Sequence, residues 1–215
     1  MPDPTRESTI LLGRLKGGDR EALAQLFSTY RQRLWRTIQF RLDYRLRSRV
    51  DPDDVLQEAY IWAADHVERF TGDSATSLYV WLRMVVLQTM IVVHRRHLGA
   101  EMRDAEREVP IWGGSWPQAT SAALAIQLSG HLTSPSQAAI RKEAAEQLRQ
   151  ILNQMDEIDR EVLAMRHFEQ LSNSEVAATL NIQEKAASIR YVRAVRRLKT
   201  ITAQLPGFVD DRKGV

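Results

Sequence analysis

Apolar residues recur every three or four positions along most of the chain, a spacing that places them on one face of an α-helix. The pattern is clear after Asp19, which can cap a long helix. The residues of its apolar face are Leu23, Leu26, Phe27, Tyr30, Leu34 and Ile38. A shorter apolar segment, residues 9–15, precedes it and ends at two glycines. The periodicity therefore predicts a helical fold from the start of the chain.

Two further helices are predicted in the first half of the chain. Asp51 and Pro52 mark the start of one that extends to about Phe70, because aspartate caps free amides and proline at the first position sacrifices no hydrogen bond. Its inward face is Val55, Ala59, Trp62, Ala63 and Val67. A turn-rich loop leads to the next helix, residues 78–97, whose buried side is Leu78, Trp81, Leu82, Val85, Val86, Thr89, Met90 and Val93.

The helical pattern fails between Gly99 and Ser134, where prolines and glycines interrupt the sequence. We expect only one helical turn there, near residues 122–128. Helices resume after Ser134 and Pro135, and again at Asp156. The prediction is an all-α fold of two small helical domains, residues 1–98 and 135–204, each with its own core. Residues 99–134 would be a linker, and residues 205–215 a frayed tail.

Residues 171–199 have the pattern of a helix-turn-helix. Ser172 and Glu175 form a capping box at the start of a short helix, and Asn181 tolerates the left-handed backbone of the turn. The second helix has a continuous apolar stripe, consisting of Ala187, Tyr191, Ala194, Leu198 and Ile201. Its other sides are basic, with Lys185, Arg190, Arg193, Arg196, Arg197 and Lys199.

The basic helix suggests DNA binding. Arg190, Arg193 and Arg197 share one face, which suits phosphates and the acceptor edge of guanine. A charge run on a helix is usually only a solvated face. The combination of a capped helix, a tight turn and an all-basic second helix favours DNA binding over that alternative.

Charge is strongly segregated along the chain, although the net charge of the 215 residues is only +3. Residues 31–49 contain seven arginines and one acid, whereas residues 51–73 contain seven acids and one arginine. This segregation indicates two partners, a polyanion and a basic protein surface. The chain has no cysteine, which excludes disulfides, thiolate metal sites and a cysteine nucleophile.

No constellation of residues points to catalysis, a metal or a cofactor. The acids at the start of the 51–70 helix fit a helix N-terminus for structural reasons. His94 and His97 could hold a metal, but the arginines between them favour a phosphate-facing helix end. Aromatic residues beside basic ones, such as Phe70, Tyr79 and Trp81, suit unstacked bases, although Trp81 fits the core better. We therefore expect that the protein is not an enzyme and that it binds no metal or cofactor.

The sequence also predicts where the protein is located. The polar N-terminus lacks the pattern of a secretory signal. The most apolar run, residues 78–93, is shorter than a membrane span and is interrupted by polar residues. It is interpreted as a core helix, with no membrane partner and a cytoplasmic location.

The two halves together resemble an RNA polymerase sigma factor of the extracytoplasmic-function group. DPDDVLQEAYIWAADHVERF, residues 51–70, matches the helix that in this family docks on the largest polymerase subunit. The resemblance implies a docking face of Asp53, Asp54, Gln57 and Glu58. The following loop and helix, with WLR and HRR, resemble the part that captures the melted minus-ten strand. The residues implied there are Phe70, Asp73, Ser74, Tyr79, Trp81, Arg83, Gln88, Arg95 and Arg96.

The second half, DEIDREVLAMRHFEQLSNSEVAATLNI, resembles the family's fourth region, which reads the minus-thirty-five element. The residues implied there are Lys185, Ser188, Arg190, Arg193, Arg196 and Arg197. Gln88 and Val92 stand where the family often has asparagine and aspartate. The resemblance implies core RNA polymerase and promoter DNA, duplex and melted, as partners, with an anti-sigma factor as a further candidate. A free-standing helix-turn-helix repressor or activator is the alternative.

Overall fold

The computed structural model describes residues 4–43, 45–98, 117–129 and 138–202, and all regular structure within them is helical. The predicted all-α class is therefore confirmed. The helices are α1 Pro4–Lys16, α2 Arg20–Arg41, α3 Pro52–Asp65, α4 Ala75–Leu98, α5 Pro117–Ser129, α6 Ala138–Leu152, α7 Glu157–Leu163, α8 Asn173–Leu180 and α9 Glu184–Thr202. A 3-10 turn, Val67–Arg69, follows α3, and a π-helical turn, Ala164–Phe168, extends α7.

Local capping chemistry fixes several helix starts. Asp19 accepts hydrogen bonds from the backbone amides of Glu21 and Ala22 at the start of α2. Asp51 caps α3 in the same way, with proline at its first position, and Asp156 caps α7. All three caps agree with the sequence prediction, because an aspartate side chain satisfies amides that have no partner within the helix.

The first domain consists of α1 to α4, with α2 in contact with the other three helices. All six predicted core residues of α2 are buried. The predicted apolar side of α4 is also buried, except that Thr89 is only half-buried. By length and composition alone α4 could cross a membrane, but half of its most apolar window is buried inside the protein. It packs against α2, α3 and α8, as expected of a core helix.

The second domain differs from the prediction at its start. The segment predicted as a linker contains the 13-residue helix α5 instead of a single turn. This helix packs against α6, α7 and α2, and its Leu124 and Ala125 lie in a core with Leu148 and Leu152. Proline at the first helical position is compatible with this start. The apolar residues between 122 and 126 supply the buried side that makes the helix stable.

One further prediction for the second domain is wrong, and several others cannot be compared with the structure. The sequence places Ile158 on an apolar side, but it is partly exposed in the first turn of α7. The remainder of the predicted linker, the Ser134 and Pro135 start signal, the tail 205–215 and the Ile201 side chain lie outside the described residues.

The two halves do not keep separate cores. The main core joins Val162, Met165, Leu171 and Val176 from the second half to the apolar residues of α1 to α4. The smaller core of the second half includes Phe40 from α2, which stacks on Phe168 with ring centroids 5.0 Å apart. Because α8 packs on α4, the first domain covers part of the apolar surface of the helix-turn-helix.

Candidate functional site

The acidic face of α3 lies at the surface. Asp53, Asp54 and Gln57 are exposed and Glu58 is partly exposed, while Val55 and Ala59 on the other side are buried. Two of the acids have basic neighbours within the domain. Arg31 donates to Asp53 over 2.8 Å, and Arg96 donates to Glu58 over 3.1 Å. Both pairs are solvent-exposed, so they add little rigidity and leave the face accessible.

A groove of about 380 Å³ runs along this face, between α3 and the end of α4. Its lining combines Asp54, Gln57 and Glu58 with Ile61 and Val93. Ile61 is 52% exposed. An apolar centre with a charged margin is a common composition for a protein-docking surface.

Four of the nine residues implied for the minus-ten strand are exposed. Asp73 and Ser74 lie in the loop before α4, and Arg95 and Arg96 lie at its end. Ser74 and Ser77 exchange backbone-to-hydroxyl hydrogen bonds, which organise the start of α4. A Cβ atom at Gly72 would lie 2.6 Å from Phe70 Cε2 and closer still to Ser77 Oγ. Only glycine allows the loop to pack this closely.

Four others are buried, and Gln88 is half-buried. Phe70 and Trp81 pack on each other with ring centroids 5.5 Å apart. Tyr79 is fully buried, with the Arg33 guanidinium 3.9 Å from the centre of its ring. Arg83 is also buried. In this arrangement Phe70, Tyr79, Trp81 and Arg83 do not present a surface to DNA.

The acid that covers Arg83 comes from the second half. The Glu169 carboxylate is completely buried and accepts hydrogen bonds from Arg83 Nε over 2.8 Å, Arg41 Nε over 2.6 Å and Thr37 Oγ1 over 3.0 Å. We call Glu169, Thr37, Arg41 and Arg83 the Glu169 cluster. Arg41 also donates to Glu161 over 2.8 Å. The cluster ties α2 and α4 to the segment that leads into α8.

The electrostatics of this cluster follow from its burial. Burial alone would raise the pKa of Glu169, but the charges and hydrogen bonds of Arg41 and Arg83 lower it to about 2. Burial would lower the pKa of Arg41, but Glu161 and Glu169 raise it above its usual value. Glu169 and Arg41 are therefore both charged at neutral pH, and each stabilises the charge of the other.

Further contacts join the halves beside the cluster. Arg33 donates to Glu175, and Arg36 donates to Gln170. Glu175 is the same residue that completes the capping box of α8 with Ser172. The predicted capping box and the left-handed Asn181, with φ of 51°, are both confirmed.

Sequence reasoning does not find these contacts. The charge pattern assigns the arginines of residues 31–49 to a polyanion, whereas Arg33 and Arg41 are paired with acids of the second half. The signal for this pairing is weak, because the partners are more than 100 residues apart. Nothing in the local sequence around Glu169 identifies it as a buried carboxylate.

Two arginines of the face predicted on α9, Arg190 and Arg193, are paired with an acid of the same domain. Asp159 of α7 accepts from Arg190 Nη1 over 2.8 Å and from Arg193 Nε over 2.5 Å and Nη2 over 2.7 Å. Burial would raise the pKa of Asp159, but these hydrogen bonds hold it below its usual value. Lys185, Ser188, Arg196 and Arg197 are exposed. Arg193 is exposed as well in spite of this pairing, and Arg190 is partly covered. Lys185 and Arg196 lie on the side of α9 opposite the buried Ala187 and Ala194.

Two family models match the chain. The model described as Sigma-70 region 2 matches residues 26–98, and the model described as Sigma-70, region 4 matches residues 145–198. Together they cover more than half of the chain. The first match contains α3 and α4, and the second contains the helix-turn-helix. A free-standing helix-turn-helix regulator receives no support from these matches, because such a protein would not need the first region.

Relatives of known name agree with these matches. The RNA polymerase sigma-H factor of Pseudomonas aeruginosa is 28% identical over 186 residues, which are 86% of this chain and 88% of that protein. A solved structure, CnrH in complex with the cytosolic domain of CnrY, has a similar fold, with a TM-score of 0.50 and 21% identity. The match covers 92% of this chain and 97% of that one. The chain belongs to the sigma-70 family, in its extracytoplasmic-function group, and is a sigma factor that directs RNA polymerase to promoters.

Proposed function

We propose that α3 is the surface that docks on core RNA polymerase. The observation that carries this proposal is the division of α3 into two sides. Val55, Ala59 and Ala63 fix the helix in the core, which leaves Asp54 and Gln57 at the surface beside the exposed Ile61. Acids at an exposed surface are available to a basic partner, and an exposed isoleucine supplies apolar contact.

A charge-reversal variant tests the docking face. Asp54→Arg with Glu58→Arg should weaken binding to core polymerase at least tenfold, because two attractive contacts become repulsive. The matched control is Glu143→Arg with Glu146→Arg, which makes the same charge change on exposed positions of α6. Binding is measured by titration of labelled chain with core polymerase. Equal affinities of the two variants would contradict the proposal.

We further infer that the minus-ten strand is held by the loop before α4 and by α4 itself. Four of the implied residues are exposed to solvent in the folded chain: Asp73, Ser74, Arg95 and Arg96. Phe70, Tyr79, Trp81, Arg83 and Gln88 belong to the same helix and loop but are wholly or partly covered. Because Arg83 is held by Glu169 of the second half, the halves must separate before Arg83 can contact DNA.

The exposed arginines at the end of α4 give a direct test of this inference. Arg95→Ala with Arg96→Ala should lower the affinity of the assembled holoenzyme for forked promoter DNA. Because Arg96 pairs with Glu58 of the docking face, the holoenzyme is assembled with saturating core polymerase. If each arginine neutralises one phosphate, the double variant should reduce the salt slope by about two. An unchanged salt slope would remove these arginines from the minus-ten surface.

The second domain binds duplex promoter DNA in this proposal, through α9. The short α8 and the tight turn at Asn181 precede α9, and in a helix-turn-helix the helix after the turn is the recognition helix. A protein that works with bacterial polymerase on promoter DNA is located in the cytoplasm. We also propose an anti-sigma factor as a partner of the free chain, because the similar solved structure shows CnrH in complex with another protein, the cytosolic domain of CnrY.

A further inference from the structure

The outward surface of α9 carries apolar residues as well as basic ones. Ile189 is 58% exposed, Val192 is 46% exposed and Val195 is 39% exposed. Seven large apolar residues are exposed in the described parts of the chain, and three of them lie on this one helix. Ile189 and Val192 are three positions apart and are therefore neighbours on one side of the helix.

These residues contribute little to the fold. The opposite side of α9 holds it to the domain through the buried Ala187 and Ala194, with Tyr191 partly buried. Ile189 and Val192 belong to neither core. β-Branched residues are also weaker helix formers than most polar residues that occupy exposed positions. Neither burial nor helix propensity accounts for isoleucine and valine here.

The charges around the pair favour a polyanion as its partner. Lys185 is four positions before Ile189 and Arg196 is four positions after Val192, so both lie on the same side of α9. Both are exposed, as is Lys199. Arg190 and Arg193, by contrast, are turned toward Asp159. The outward surface thus consists of an apolar centre between cations.

Duplex DNA offers a group that fits this centre. In the major groove the C5-methyl of thymine is the apolar feature of the base edges, and the phosphates on either side suit lysine and arginine. We propose that Ile189 and Val192 contact thymine methyl groups in the upstream promoter element, and so make the chain specific for thymines at those positions. This inference rests on the proposed duplex binding by α9 and adds the base that it selects.

The test replaces thymine by uracil, which removes only the C5-methyl group of the base. Holoenzyme assembled from this chain and core polymerase is used to select upstream duplex sequences from a random library, and each thymine of the selected site is then replaced by uracil. Burial of a methyl group is worth about a fourfold change in affinity. We expect roughly that loss at two or more neighbouring thymines, and no loss elsewhere.

Variants assign the effect to the two side chains. With Ile189→Ala or Val192→Ala, the difference between thymine and uracil should disappear at one position each. Ile10→Ala is the matched control, since Ile10 is 57% exposed on α1, and it should keep the full difference. Arg196→Ala should weaken binding to all selected sequences alike and leave the uracil effect unchanged.

The outcomes separate this inference from the proposed function. If the holoenzyme selects no upstream sequence, duplex binding by α9 fails. If it selects a sequence in which uracil substitution has no effect, or in which the alanine variants keep the effect, the methyl contact is overturned and duplex binding stands. If Ile189→Ala instead alters the oligomeric state of the free chain, the apolar pair is a surface for a second copy, and the proposal is overturned.

Discussion

The carboxylates on α3 and the carboxylate of Glu169 carry the same charge in opposite surroundings. Asp54 is exposed to solvent, whereas Glu169 is fully buried between Arg41 and Arg83. A buried charge requires partners that the fold holds in place, since its desolvation is costly. An exposed charge requires none. The acids at the surface are therefore the ones available to another protein, whereas buried acids such as Glu169 join the two domains.

The exposed acids of α3 and the buried Glu169 should differ most in their contribution to the free energy of unfolding. Glu169→Ala would leave the buried Arg83 without its acid and Arg41 with Glu161 alone. We therefore expect the free energy of unfolding to fall by about 3–5 kcal/mol. Urea denaturation followed by far-UV circular dichroism measures it. Asp54→Ala is the control and should cost under about 1 kcal/mol. A similar small loss for Glu169→Ala would mean that the halves separate and both arginines reach water.

The second largest effect should be a dependence of stability on pH that comes from the buried carboxylate of Glu169. The pKa of Glu169 is lowered from its usual 4.5 to about 2 in the folded chain. Its contribution to stability is therefore complete above pH 4.5 and is lost as the pH falls from about 4.5 toward 2. Denaturation midpoints measured across that range should decline less steeply for Glu169→Gln than for the unaltered chain. Parallel curves would show that Glu169 does not carry the dependence.

A buried acid whose partners reach solvent, Asp159, should give an intermediate effect. Asp159 accepts hydrogen bonds from Arg190 and Arg193, whose guanidinium groups are partly exposed to water. Asp159→Asn should lower the free energy of unfolding by about 1–2 kcal/mol, because the charged hydrogen bonds are weakened but the arginines can be solvated. The same denaturation assay applies. A loss as large as that of Glu169→Ala would contradict the expectation that water replaces Asp159 at Arg190 and Arg193.

The smallest effect should come from the exposed pair of Arg96 and Glu58. Both side chains are about half exposed, and such pairs contribute under about 1 kcal/mol. Glu58→Gln should leave the denaturation midpoint nearly unchanged at high salt and lower it only slightly at low salt. A clear loss at both salt concentrations would contradict the distinction between exposed and buried carboxylates.

The elements predicted correctly are those that depend on neighbouring residues. Asp19, Asp51 and Asp156 cap helices through amides two or three positions away. The Ser172 capping box and the Asn181 turn have the same short range. Helix faces also follow from local spacing. Such short-range features are sufficient to predict the fold class, the helix-turn-helix and the exposed acids of α3.

The features that the sequence does not predict depend on long-range packing. Glu169 contacts Thr37 across 132 positions and Arg83 across 86, and no periodicity reports such a pairing. Helix α5 escapes prediction because prolines and glycines on both sides of it indicate a linker. The pairing of Arg190 and Arg193 with Asp159 has the same origin, since it depends on how α7 packs against α9. The assignment of individual residues to the two promoter elements stays a prediction.

The burial of Arg83 has a consequence for DNA binding if, as proposed, this arginine contacts the melted strand. Only the fraction of chains with separated halves can present Arg83 to a DNA strand, so the apparent affinity equals the intrinsic affinity multiplied by that fraction. Each 1.4 kcal/mol that favours the joined state lowers the available fraction about tenfold. Every contact that holds the joined state, the Glu169 cluster among them, would thereby lower the apparent affinity of the chain for the melted strand.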